Sequence, residues 1–191
     1  MLACQGGFEA HARMLAELGA EVSEVRLPPD LETLDGLVIP GGESTTISKA
    51  IERDALAAPI REHLRSGGAI LGTCAGMIVC DRDHLGLIDA RARRNAFGRQ
   101  LQSFEASVDV EGLGSEPIRA VFIRAPWVEE YGQAVEVLAS WEQHPVVVRE
   151  RHVLTTSFHP ELTDDSRLHA LFMAMAAGAR EQRQAASAPS R

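Results

Sequence analysis

The chain has 191 residues with 19 Lys+Arg against 27 Asp+Glu, a formal net charge of −8, and 45% hydrophobic residues. This predicts one domain with a sizeable core, and it argues against wholesale disorder and against a nucleic-acid partner, because an acidic surface repels phosphate backbones. No apolar run approaches the ~20 residues that a bilayer span needs, and no basic segment followed by a hydrophobic stretch opens the chain, so a cytoplasmic protein with no membrane partner is expected.

In chain order, Leu2-Ala3-Cys4 reads as the end of a strand, Gln5-Gly6-Gly7 as a turn, and Phe8, His11, Leu15 and Leu18 as one helical stripe stopped by Gly19. A strand is expected over 21–26, before Pro28-Pro29, and a buried strand over 36–39, before Pro40-Gly41-Gly42. Helices follow from about 45 and over 56–65, the second ended by Gly67-Gly68. Residues 69–72 form another buried-type strand that turns at Thr73-Cys74-Ala75-Gly76 into an apolar helical segment, 77–80. Short strands are expected over 103–110, 118–123, 135–140, 145–149 and 152–157, then a helix over 165–177 with Leu168, Leu171, Phe172 and Met175 on one stripe. The fold class is therefore α/β: an open, mostly parallel sheet flanked by helices, with antiparallel strands added in the C-terminal half. A domain over 1–178 is expected, followed by a disordered tail over 179–191, rich in Ala, Gln, Ser and Arg.

Three cysteines, Cys4, Cys74 and Cys80, are too few for a disulfide framework and lack metal-ligand spacing; no metal and no cofactor is expected. Gly72-Thr73-Cys74-Ala75-Gly76 has the Gly-x-nucleophile-x-Gly spacing of a strained strand-to-helix turn, where small neighbours let the backbone pack closely and the side chain points outward. A helix N-terminus beside Cys74 favours thiolate, and the Ala75 amide is placed to donate to an oxyanion. His159, at the end of a strand in Ser157-Phe158-His159-Pro160-Glu161, is the candidate base, and Glu161 the group that holds its tautomer. Cys4 and Cys80 read as packing residues, and His11, His63, His84, His144, His152 and His169 as structural. Pro40-Gly41-Gly42-Glu43-Ser44-Thr45-Thr46 links a strand to a helix without a Walker lysine or a Gly-x-Gly-x-x-Gly. It suits a second oxyanion donor, at Gly42, better than a phosphate cradle. A cluster of Arg91, Arg93, Arg94 and Arg99 calls for a local explanation.

At these residues the sequence resembles the class I, triad-type glutamine amidotransferases. Within them it is similar to the glutaminase subunits of the deoxyxylulose-independent pyridoxal 5′-phosphate synthases, over about residues 2–175. The narrower resemblance rests on the 40–46 segment, Arg94-Asn95-Ala96-Phe97-Gly98-Arg99-Gln100, Ser103-Phe104-Glu105, Phe122-Ile123-Arg124-Ala125-Pro126-Trp127 and Ser157-Phe158-His159-Pro160-Glu161-Leu162. It implies a flavodoxin-like fold and hydrolysis of L-glutamine to glutamate and ammonia through a Cys74 thioester, with His159 and Glu161 completing the triad. It further implies glutamine contacts from Gly42, Glu43, Ser44, Arg94, Ile123 and Arg124, an oxyanion hole from Gly42 and Ala75, and delivery of ammonia to a (β/α)₈-barrel synthase subunit within a hetero-oligomer. Two departures stand out. Only the end of the family's first strand is present, so either the natural beginning lies upstream of Met1 or half a central strand is missing, and the segment after Cys80 is shorter by roughly two helical turns. An amidotransferase serving a different synthase and a catalytically silent module of the same fold remain the competing readings.

Overall fold

The computed structural model describes residues 1–4, 7–97 and 103–187. The turn residues Gln5 and Gly6, Arg99 of the arginine cluster, the Gly98-Arg99-Gln100 end of its motif and the last four tail residues lie outside these. The chain opens with α1 (Phe8–Glu17), β1 (Gly36–Ile39), α2 (Ser44–Arg53), α3 (Ala57–Arg65), β2 (Ala69–Thr73) and α4 (Ala75–Cys80). Six strands follow: β3 (Ala90–Arg93), β4 (Ser103–Val108), β5 (Ile118–Ile123), β6 (Trp127–Tyr131), β7 (Glu136–Trp141) and β8 (His144–Glu150). The last elements are β9 (Val153–Thr156) and α5 (Arg167–Ser187).

The main sheet has the order β1-β2-β9-β8-β7. β1, β2 and β9 are parallel, and β9, β8 and β7 continue antiparallel. Alternate residues feed two separate cores, the mark of a sheet covered on both faces. Leu37, Ile39, Ile70, Val148 and Val153 join the core shared with α2, α3 and α4, whereas Val38, Leu71, Val147 and Leu154 join the one beneath α5. Two antiparallel pairs, β3 with β6 and β4 with β5, stand outside this sheet. An α/β fold with a parallel centre and antiparallel additions matches the expected class.

Several expectations are revised. Of the strand expected over 21–26, only Val25 pairs, through a parallel bridge to Leu2, while the Leu2 N–H donates to Val38 O at 2.9 Å. The first residues thus lie against the sheet beside β1. The chain beyond 178 is helical as far as Ser187, contrary to the expected disordered tail. Ala179 is buried, and Arg183 and Arg180 reach Asp35, just before β1, at 2.7 and 3.6 Å. Helix-favouring Ala, Gln and Arg, anchored by that carboxylate, carry α5 past Gly178. β3 and β6 had no counterpart among the expected strands.

Candidate active site

The C-terminal ends of β2 and β9 are locked together where the Cys74 N–H donates to Thr156 O at 2.8 Å. Cys74 takes φ 49° and ψ −106°, a left-handed backbone that costs a non-glycine residue on the order of 1–3 kcal/mol and turns its side chain out of the sheet. The flanking glycines are dictated by contact. A Cβ on Gly72 would stand 2.8 Å from Gly76 O, and one on Gly76 only 2.0 Å from Ile39 O. α4 follows at once but has only six residues, and it stops at Asp81 rather than running on. The buried Asp81 carboxylate accepts the N–H of Asp83 and of Ala92, which closes the short segment noted in the sequence.

His159 is held by its own N–H on Val121 O at 2.9 Å, and its Nδ1 lies 2.7 Å from Glu161 Oε1, which leaves Nε2 as the ring nitrogen available to Cys74. Burial opposes a charge on His159, yet the interactions with Cys74 and Glu161 outweigh it and raise its pKa to about 10. Burial likewise opposes ionisation of Glu161, but His159 and then His11 hold its carboxyl below the ordinary range. The Cys74 Sγ lies 3.8 Å from the carbonyl oxygen of Ile123. Cys80 is fully enclosed, with its thiol pushed up by burial, and the half-buried Cys4 is raised by the same cause. Both pack against the core, as expected of them.

A cleft of about 400 Å³ opens over Cys74. Gly42, Glu43, Ser44, Ala75, Arg94, Ile123, Arg124 and His159 line it, so the sequence candidates meet in one place, with Glu161 just behind His159. Ile78, Asn95 and Pro126 also line it and were not anticipated. Backbone strain gathers here: besides Cys74, Asn95 and Arg124 have φ of 46° and 44°. Larger depressions, of about 730 Å³ beside α3 and 660 Å³ beside Arg82, have no cysteine in their walls.

Glu43 caps α2, accepting the N–H groups of Thr45 and Thr46 at 3.0 and 2.8 Å. The Thr46 hydroxyl, donating at 2.7 Å, is the main reason its pKa falls to about 2. Arg94 donates to Thr45 Oγ1 at 3.2 Å and reaches His84 Nε2 at 3.5 Å, while His84 Nδ1 is 2.7 Å from Asp81. His84, read as structural, thus backs Arg94 through the short 81–84 turn. Two other arginines of the cluster are neutralised locally: Arg91 pairs with Asp83 and Glu130, and Arg93 with Glu129. Among the described residues no group of three or more His, Cys, Asp or Glu is placed to hold a metal, and no helix is long and apolar enough to cross a membrane.

Four of the five narrow motifs contribute a ring to one aromatic cluster. Phe97 meets Phe104, Phe122 and Trp127 edge-on at centroid distances of 5.3, 5.4 and 5.1 Å; Phe122 stacks on Phe104 at 4.6 Å and meets Phe158 at 5.4 Å. The cluster fixes the segments bearing Arg94, Arg124 and His159 relative to one another.

Solved structures share this fold. A crystal structure described as a glutamine amidotransferase superposes with a TM-score of 0.88 at 45% identity, over 92% of this chain and 97% of its own. PurLQS from Thermotoga maritima shares the fold, with a TM-score of 0.71 at 17% identity, over 91% of this chain and 95% of its own. Fold and elbow together define the class I glutamine amidotransferases, enzymes that hydrolyse the side-chain amide of glutamine. Within that class the chain belongs to the SNO glutamine amidotransferase family, whose model matches residues 1–177. Relatives named pyridoxal 5′-phosphate synthase subunit PdxT are 50% identical in Streptomyces avermitilis, over 92% of each chain, and 46% identical in Fervidobacterium nodosum, over 90% of this chain and 93% of that one.

Proposed function

We propose that this chain is the glutaminase subunit of a pyridoxal 5′-phosphate synthase, releasing ammonia from glutamine for a separate (β/α)₈-barrel synthase subunit in the cytoplasm. The observation that carries this is Cys74 and His159 together in the wall of one cleft of about 400 Å³, with Glu161 hydrogen-bonded behind His159. Relatives half identical in sequence and named as subunits of that synthase support the choice of partner.

In this reading the Cys74 thiolate attacks the glutamine carboxamide carbon, and the Gly42 and Ala75 amides receive the negative charge that develops on oxygen. The His159 imidazolium gives its proton to the departing nitrogen, so ammonia leaves and a γ-glutamyl thioester remains on Cys74. Neutral His159 then takes a proton from water as the water oxygen attacks the thioester. Glutamate departs, and the thiolate–imidazolium pair is restored. Glu161 orients the ring in both half-reactions. Arg94 takes the substrate carboxylate, Glu43, Ser44 and the Ile123 carbonyl offer acceptors to the ammonium, and Arg124 shapes the pocket.

Mixed with its synthase subunit, the chain should release glutamate from glutamine, and Cys74→Ala should lower that release at least ~10³-fold. No release from the wild-type mixture, or release that survives the substitution, overturns the proposal.

A further inference from the structure

Behind His159 and Glu161 lies a second, fully enclosed pair of histidines that hydrolysis of an amide does not by itself require. His11, from α1, and His169, from α5, are both 0% exposed, and His11 Nδ1 lies 2.8 Å from His169 Nε2. The other ring nitrogen of His11, Nε2, is 3.2 Å from Thr73 Oγ1 and 3.2 Å from Glu161 Oε2, the latter without the alignment of a full hydrogen bond. Thr73 immediately precedes the nucleophile, and its hydroxyl accepts the Gly41 N–H at 3.1 Å. One edge of one imidazole therefore sits where the triad carboxylate, the elbow and the Gly41–Gly42 turn converge.

The proton positions follow from what each atom can offer. An ionised Glu161 presents only lone pairs, so the His11 nitrogen facing it must carry the proton. His11 Nδ1 is then an acceptor, and His169 must give it Nε2–H. That leaves His169 Nδ1 bare, and this buried atom has no hydrogen-bond partner among the described residues. Burial disfavours charge on both rings: it lowers His11 against the attraction of Glu161 and with the repulsion of His159, and together with His11 it lowers His169 to about 4. The assignment that turns an N–H rather than a lone pair toward Glu161 is both rings neutral, each protonated on Nε2.

We propose that His11 is a positioning residue of the glutaminase site, its buried Nε2–H holding Glu161 and Thr73 in register while His169 fixes its tautomer. The inference rests on the assignment of Glu161 to the triad. Its consequence is that the support of the base and the support of the oxyanion turn share a single donor, so loss of that donor disturbs both. α1 and α5 thereby act on the chemistry without touching substrate.

Nitrogen-15 NMR of histidine-labelled protein reads the tautomers directly in the isolated chain. His11 and His169 should both be neutral Nε2–H forms at pH 7, and a His11 Nδ1–H form overturns the proposal. In His11→Phe the titration of His159, near 10 in the wild type, should move to lower pH. With the synthase subunit present, kcat for glutamate release should fall on the order of tenfold while KM stays within about twofold, and His11→Gln, which keeps an N–H donor, should recover most of kcat. A folded His11→Phe with wild-type kcat and wild-type His159 titration overturns the assignment. Should that variant fail to fold, His169→Leu decides: the Nδ1–H form of His11 should emerge and kcat should fall, and the absence of both counts against the role. If the wild-type mixture releases no glutamate, the functional reading fails, yet the tautomers and the His159 titration still decide the role of His11.

Discussion

His159 works between the Glu161 carboxylate and the Cys74 sulfur, and both stabilise its charged form against burial. Part of its raised pKa therefore belongs to Glu161. Glu161→Gln keeps the shape and removes the charge, so the alkaline limb of kcat/KM should move below the wild-type value of about 10, and kcat should fall on the order of 10²–10⁴-fold. A pH–rate profile of the complex checks this, and an unmoved limb would exclude Glu161 from support of the base. Cys74, His159 and Glu161 were legible in the sequence because each lies in a short motif whose spacing is itself the mechanism. His11 and His169 were not, since 158 residues separate them and each alone looks like any core histidine. His84 escaped for a related reason: its role toward Arg94 depends on a turn that only folding creates.

At the scale of elements, the elbow is a packing problem solved by glycine. Gly76→Ala would drive a Cβ to within 2.0 Å of the Ile39 carbonyl oxygen, backbone against backbone. Neither β1 nor α4 can yield without opening the core, so a loss of at least ~3 kcal/mol is expected, read as a lower urea midpoint at unchanged m-value. Beneath the cleft, Phe122 is fully buried among the rings that join the substrate-facing segments. Phe122→Ala should cost about 3–5 kcal/mol and raise KM for glutamine, because the segments carrying Arg94 and Arg124 lose their common anchor. The central strands were legible as continuous apolar runs. β3 and β6 were not, because Ala90–Arg93 and Trp127–Tyr131 carry mostly charged or half-exposed residues, and their pairing is reinforced by Arg91–Glu130 and Arg93–Glu129 across the strands. Such pairs are invisible until the partner strand is known.

For the whole molecule, the buried ionisable groups set a stability window. His169 is held neutral, with its pKa lowered to about 4, and His11 is lowered as well, so the unfolded chain binds more protons as the solution becomes acid. Stability should therefore be lost as the pH falls from about 6.5 toward 4, by roughly 3 kcal/mol from His169 alone. His159 has the opposite sign: its contribution is complete below about 6.5 and is lost as the pH rises through 10. Urea unfolding at pH 5, 7 and 9.5 should show a maximum near neutrality, and a flat profile would contradict neutral burial of the His11–His169 pair.

The arginine cluster in an acidic chain needed an explanation that composition could not supply; carboxylates of the neighbouring strand and turn neutralise Arg91 and Arg93, and His84 and Thr45 hold Arg94. From the sequence alone came the α/β class, the candidate nucleophile and base and the segments that meet over the cleft, because these depend on local periodicity and on residues a few positions apart. Tertiary structure alone decided the extent of α5, the β3–β6 pair, the aromatic anchor and the buried histidines behind the triad. Each of these rests on contacts between residues distant in the chain, where no local pattern records which partner will arrive.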